Sequence, residues 1–545
     1  MRYLLALIML MAASAAEAKS LYVNNSVTCS DTTVAYADNT AGNPWCSLTR
    51  ALRGASAAWA TTSAAQAAQA GDIVYVIAGT YAAPVGPTLS SPLTNIIYNP
   101  VNSGSSGNPI TIEAVGTVVL THALTKNPLI GGADVDYIIW KGFTINEANA
   151  ASTSDTGPVV FFHCDNCEAH NLVVDGNGDA ADGRADNHPG IRVEGSVTVV
   201  VKNCRISNFT TSGVNASNGA GIQVYNSKGL TFEHNEISGS GAGIFFKAIG
   251  FNGPTVTESQ WSDMQDVVRY NLLHDNWYGI LHHRHFHTAS TVYVLIYQNI
   301  VYSGVGTANA CFVLQTFTVQ SGQTHDGPSN GRWVNNTCYN ASRGFHFVGG
   351  VTFADVSNNL LKNNLISTTT YGIQSDNGTG LPQSYELDRL EFTRNWYYSY
   401  TTFEQWGSNK TFATFQSTYT GQEADTTVGT DPQFVNAAAN NFHLAGGSPA
   451  LTAGRVVHSI GGNDGDTIPV GAYITGSETI GIETGTSTPT IFNPTINLRR
   501  SELEILRDDL LAFQTEQAAR WTRVCAVLGR TRTTWALNMR REIPC

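Results

Sequence analysis

Short alternating segments recur along the middle of the chain, and apolar residues fall at every second position within each of them. That period belongs to strands with one buried face, not to helices. Laid under one another, VTVVVKNCRIS, GLTFEHNEIS, DVVRYNLLHD, VLIYQNIVYS, LLKNNLIST and LEFTRNWYYS each read as a strand, an asparagine and a second short strand. The asparagines are Asn171, Asn203, Asn235, Asn271, Asn299, Asn336, Asn364 and Asn395, at spacings of 32, 32, 36, 28, 37, 28 and 31. A second marker, glycine followed by an apolar residue, accompanies them at Gly190-Ile191, Gly221-Ile222, Gly243-Ile244, Gly279-Ile280, Gly344-Phe345 and Gly372-Ile373, with Ala310-Cys311 filling the one gap.

A repeat of this length built from short strands predicts a solenoid, and three strands per coil make it an all-β parallel β-helix. Equivalent residues of successive coils then stack ~4.8 Å apart, so asparagines in one turn can hydrogen-bond up and down a ladder. The glycines are expected to provide backbone freedom at the turns. In the Gly-apolar strand, alternation sends Ile191, Ile222, Ile244, Ile280, Cys311, Phe345 and Ile373 inward. Arg192, Gln223, Phe245, Leu281, Phe312, His346 and Gln374 then face outward, followed by Glu194, Tyr225, Lys247, His283, Leu314, Val348 and Asp376. His285 and His287 continue outward in the segment GILHHRHFH, and His282 points in.

Composition narrows the setting. Only 13% of the 545 residues are charged and 52 are glycine, which suits many tight turns. A net charge of −12 argues against nucleic acid as a partner. Residues 1–18, MRYLLALIMLMAASAAEA, have the basic start, short apolar run and small-residue end of a secretory signal, so a secreted, periplasmic or cell-surface protein without a membrane span is expected. In that compartment Cys29 can pair with Cys46 and Cys525 with Cys545, and Cys164 and Cys167 suit a disulfide or buried thiols better than zinc. The β-helix is expected over residues 19–475, with the alanine-rich segment from Ser47 covering its first coil and DPQF…GSPAL…GAY closing its far end. A linker over 476–496 and a helical tail over 497–545 follow, the tail docking on the body or serving as an oligomer contact.

LYVNNSVTCSDTTVAYADNTAGNPWCSLTRAL, AGDIVYVIAGTY and SGNPITIEA at the start, and DPQFVNAAANNFHLAGGSPALTAG with IPVGAY at the end, resemble secreted right-handed parallel β-helix proteins of the pectate-lyase-like superfamily. The likeness spans roughly residues 20–475 and implies a right-handed coil with a polysaccharide groove on the outward face described above. These are scaffold motifs. The paired Asp with Gly-His-Gly of polygalacturonases and the acidic clusters of calcium-dependent pectate lyases are not visible.

Lys, Arg and His beside Tyr and Phe suit an acidic polysaccharide, because cations meet uronate carboxylates and aromatic faces meet sugar rings. The expected reaction is lyase cleavage by β-elimination. Lys247, His283 and Tyr225 are its candidate catalytic residues, with Lys247 a candidate base among neighbouring cations. Arg192, Glu194, Phe245, His285 and His346 are the candidate substrate contacts. Asp175, Asp179, Asp182 and Asp186, in VVDGNGDAADGRAD, could wrap Ca²⁺. A glycoside hydrolase using Glu194 and Asp186, and a non-catalytic carbohydrate-binding or adhesin-like β-helix, are the alternatives.

Overall fold

The computed structural model describes residues 18–54, 62–83, 94–121, 128–147, 156–176, 187–210, 218–247, 265–283, 294–304, 309–315, 331–348, 359–375, 390–406, 408–455 and 467–483. Residue contacts divide the chain into units 1–484 and 485–545. The expected signal segment, the tail expected to be helical with its Cys525 and Cys545, and His285, His287, Asp179, Asp182 and Asp186 all fall outside the described residues, save Ala18 at the end of the first.

The strands stack as a parallel solenoid of three ribbons. One ribbon carries the outward face of interest: β1 (Ile130–Ala133), β2 (Val159–Phe162), β3 (Ile191–Glu194), β4 (Ala220–Tyr225), β5 (Ala242–Phe246), β6 (Tyr278–His282), β7 (Ala310–Gln315), β8 (Thr337–Val348) and β9 (Leu365–Ser375). Each pairs in parallel with the strand one coil on, for example Ile222 with Ile191 and with Ile244. Three-residue strands such as Thr231–Glu233 and Glu236–Ser238 form the other two ribbons, with only the middle residue buried. The apolar core therefore runs unbroken along the axis, from Leu21 and Val23 to Phe392, Phe403 and Phe415.

Two sequence registers need correction. In the ladder the true stack is Asn235, Asn271, Asn299, Asn336, Asn364 and Asn395, each accepting from the backbone N–H or amide of its predecessor. Asn171 and Asn203 sit one residue earlier, where φ is positive in every coil, and Leu172 and Cys204 occupy the ladder position. Glu423 ends the stack by accepting from the Asn395 amide and the Tyr397 hydroxyl.

The second slip is at the gap: Ile280 pairs with Phe312, so Cys311-Phe312 replaces Gly-apolar. Phe312 and Leu314 are therefore core residues, and Val313 and Gln315 take the outward places. Cys311 is also buried and bonded to Cys338. The marker glycines serve close packing more than a left-handed turn: a Cβ on Gly221 would lie 2.3 Å from Ile237 Cγ2, and one on Gly279 would lie 2.5 Å from the Cys311 carbonyl oxygen.

The ends are closed by different means. Helix α1 (Leu48–Arg53) begins at Ser47, whose side chain accepts from the Arg50 N–H, and buries Leu48, Ala51 and Leu52 over the first coil. Cys29–Cys46 and Cys164–Cys167 are disulfides. The far end is covered by helix α2 (Phe412–Thr418), with Phe415 packed on Phe403 and Phe392. The DPQF…GAY segment does not close that end as the sequence suggested. It runs back along the flank, Phe442 against Tyr302 and Tyr339, and together with residues up to Glu483, where a linker was expected, it touches the positive-φ residues of successive coils. Asn363 binds Arg455, Asn335 binds the Pro469 carbonyl, Gln298 binds Glu478, the Tyr270 carbonyl accepts from Gly481, and Asn203 accepts from the Glu483 N–H.

Candidate active site

Parallel pairing without a slip from β3 to β6 places Arg192 and Glu194, Gln223 and Tyr225, Phe245 and Lys247, then Leu281 and His283 on four successive rungs of one outward face. This face is not the open basic groove that the sequence suggested. Arg192 and Tyr225 are buried, as are Glu194, Gln223, Phe245 and His283, while Lys247 is half-buried. Towards the far coils the face turns apolar, with Phe245, Leu281 and Val313 packed beside Ala220, Ala242 and Ala310. Low exposure strengthens each charge interaction, because less water screens it.

Lys247 is the best-held cation of the set. Its Nζ donates to the side-chain oxygens of Asn187 at 2.6 Å and Asn218 at 2.8 Å, and it lies 5.4 Å from the Tyr225 ring and 5.8 Å from the Phe245 ring. Two carbonyl acceptors and two π-faces all favour the charged ammonium. These contacts suit a held cation, whereas the base expected from sequence asks for the opposite setting. The Tyr225 hydroxyl donates to the same Asn187 oxygen at 3.3 Å, and Arg192 lies 4.3 Å over the Tyr225 ring. The next residue, His188, is anchored by a buried pair, its Nε2 2.6 Å from Glu147 Oε2.

His283 stacks on Phe245 at 5.8 Å, one coil beyond Lys247. Burial, then the Lys247 ammonium and His282, hold its imidazole well below the ordinary 6.5, so it is neutral near pH 7 and able to accept a proton. His282 faces inward as expected, edge-on to Trp333. Arg192 is committed to Glu194, with Nε at 2.8 Å and Nη2 at 2.6 Å from Oε2. Burial pushes the Glu194 carboxyl up against the pull of Arg192 and His163. His346 lies four coils beyond Gln223 in the same row, buried and with its ring centroid 6.5 Å from that of Tyr278. Of the acidic loop only Asp175 is described; its Oδ1 accepts from Asn208 at 2.9 Å. Among the described residues no three His, Cys, Asp or Glu groups converge as a metal cluster.

Sequence reasoning missed Asn187, Asn218 and Gln223's role beside them. The two asparagines stand 60 and 29 residues from Lys247 at the ends of loops, where alternation carries no signal.

The coil and its register make this a parallel β-helix, and its hand comes from residues 142–395, which match the family model described as the right-handed β-helix region. No curated protein matches the chain in sequence. Among solved structures, pectate lyase Pel9A is similar at 12% identity over 84% of this chain and 97% of that one, with a TM-score of 0.47. XylC in complex with xylose gives 12%, 76%, 87% and 0.41. The A-module of the Azotobacter vinelandii mannuronan C-5 epimerase AlgE6 gives 11%, 66%, 91% and 0.35. Likeness at this level is silent on chemistry. No helix among the described residues is long and apolar enough to cross a membrane.

Proposed function

We propose that the outward face around Lys247 binds an acidic, uronate-containing polysaccharide and cleaves it by β-elimination, in an exported protein. The observation that carries this reading is the convergence of the Lys247 ammonium and the Tyr225 hydroxyl on Asn187, with a neutral His283 on the next coil. A uronate carboxylate beside Lys247 loses part of its charge, which acidifies the proton α to it. His283 takes that proton, the C–O bond to the next sugar breaks as the ring double bond forms, and Tyr225 protonates the departing oxygen. Solvent then restores the Tyr225 proton and removes the one on His283.

A Ca²⁺ ion held near Asp175 would supply further charge for the carboxylate, and a chelator arm tests that part separately. The hydrolase alternative needs Glu194 and Asp186 facing each other; Arg192 engages one oxygen of the buried Glu194, and Asp186 lies outside the described residues. A non-catalytic carbohydrate-binding role is the alternative, in which the same face holds sugar without reaction. Incubation with a panel of uronate polymers, with Ca²⁺ or chelator, and ultraviolet detection of unsaturated products separates the two. Product from at least one polymer is expected; ligand binding without product on any polymer would move the assignment to a binding protein.

A further inference from the structure

Asn187 and Asn218 stand at equivalent places on adjacent coils, each three residues before a marker glycine, Gly190 or Gly221, whose following isoleucines pair in register. Both side-chain oxygens accept from the Lys247 ammonium, at 2.6 and 2.8 Å. They differ in what else they hold. Among the described residues the Asn218 side chain accepts from Lys247 alone, whereas the Asn187 oxygen also takes the Tyr225 hydroxyl at 3.3 Å. A carbonyl oxygen has two lone pairs, and those of Asn187 receive the two groups that act at the two ends of the elimination.

The consequence is geometric. Two donors on one oxygen at these lengths lie within ~6 Å of each other. The uronate carboxylate and the departing oxygen are attached to adjacent ring carbons, so the groups that meet them need a short and fixed separation. The two bonds are also unequal: the Lys247 bond is short and charge-assisted, while 3.3 Å is long for a hydroxyl donor. Asn187 thus holds the ammonium firmly and aims the phenol loosely enough for its proton to turn to the departing oxygen. Neither end has much room to drift. His188, the next residue, is buried, 2.6 Å from Glu147 Oε2 and packed on Phe209 with ring centroids 5.9 Å apart, and the Arg192 guanidinium lies 4.3 Å from the Tyr225 ring centre.

We infer that Asn187 is a positioning residue that couples Lys247 to Tyr225, and that Asn218 serves Lys247 only. The inference rests on the lyase reading. Full-length Asn187→Ala, Asn218→Ala and Tyr225→Phe proteins and the double variant Asn187→Ala/Tyr225→Phe test it on two substrates. One is the uronate polymer that wild type cleaves fastest; the other is a methyl uronide with a para-nitrophenoxy group on the carbon that bears the leaving oxygen. On the second, the base takes the α proton, the ring double bond forms, and para-nitrophenolate departs with the electron pair of the broken C–O bond. It needs no proton from Tyr225.

Asn187→Ala should lose about 10²-fold in kcat/KM on the polymer and only about tenfold on the aryl probe. Asn218→Ala should lose about tenfold on both, and in the Tyr225→Phe background Asn187→Ala should cost the same on both substrates, about tenfold. An unfolded fraction lowers both rates alike, so the ratio of the two losses reports positioning and not stability. Equal losses on polymer and aryl probe for Asn187→Ala, or a 10²-fold loss on the polymer that persists in the Tyr225→Phe background, overturns the coupling while wild-type product keeps the lyase reading. Wild type that yields no product from any polymer or from the aryl probe discards the lyase reading and the coupling with it.

Discussion

Two rows of polar residues run along the same coil, one inside it and one outside, and they are built on opposite plans. Inside, six asparagines repeat one residue type, and each side chain is satisfied by its neighbours: Asn299 donates to the Val268 and Tyr297 carbonyls and to Asn336, and accepts from Asn271. Outside, Glu194, Tyr225, Lys247 and His283 occupy equivalent places with four different chemistries, and Glu194 and Gln223 keep bare oxygens. Repetition gives each rung the same internal partner and so builds scaffold. Variation at a repeating position leaves groups that the fold does not need, and chemistry can use them.

Breaking the inner row should have the largest effect on folding. Asn299→Leu removes the bridge between Asn271 and Asn336 and leaves their buried groups short of partners, for an expected loss of about 4 kcal/mol, read from the denaturant midpoint. The end of that row should show itself through pH. Burial raises the Glu423 carboxyl from 4.5 to about 7, with Thr426, Tyr397 and Asn395 pulling the other way. A carboxyl raised on folding adds stability below its unfolded value that disappears as pH rises through its folded value. Wild type should therefore lose up to about 3 kcal/mol relative to Glu423→Gln between pH 4.5 and pH above 7, a difference measurable in parallel melts.

The outer row should respond in rate. With His283 held below 6.5, activity should persist as pH falls under that value, and the acid limb should move or vanish in His283→Gln with a loss on the order of 10²-fold. The same shift has a stability consequence: neutral burial of His283 weakens the fold as pH drops below 6.5, where the unfolded imidazole takes up a proton first. The smallest effect belongs to Cys204, which stands in the ladder position with its thiol buried and pushed up to about 12. Cys204 of the native protein should resist alkylation, and Cys204→Asn should change stability by less than about 1 kcal/mol.

The coil, its three ribbons and the inner asparagines from Asn235 onward were legible because each is a repeat, and repeats survive insertions of unequal length. The slips at Asn203 and at Cys311 have a common cause. In both places the expected residue type appears one position from where the backbone requires it, and a single-residue shift exchanges inside for outside. The outward residues Tyr225, Lys247 and His283 followed from alternation alone. Their burial did not, because exposure depends on what approaches the face from outside the repeat. Asn187, Asn218 and the pairing of Arg192 with Glu194 on its own strand were hidden for the same reason. The flank-hugging segment was misplaced because its docking partners, Asn363, Asn335, Gln298 and Asn203, are scattered one per coil.

The most direct test compares Lys247→Ala and Asn299→Leu side by side, measuring the rate of unsaturated product formation and the denaturant midpoint for both. Lys247→Ala should lose at least about 10²-fold in rate with its midpoint near wild type, while Asn299→Leu should lose midpoint and keep the rate of its folded fraction. Product formation at the wild-type rate by Lys247→Ala, or a fall in its midpoint as large as that of Asn299→Leu, would contradict the division between a scaffold inside the coil and a reaction site on its face.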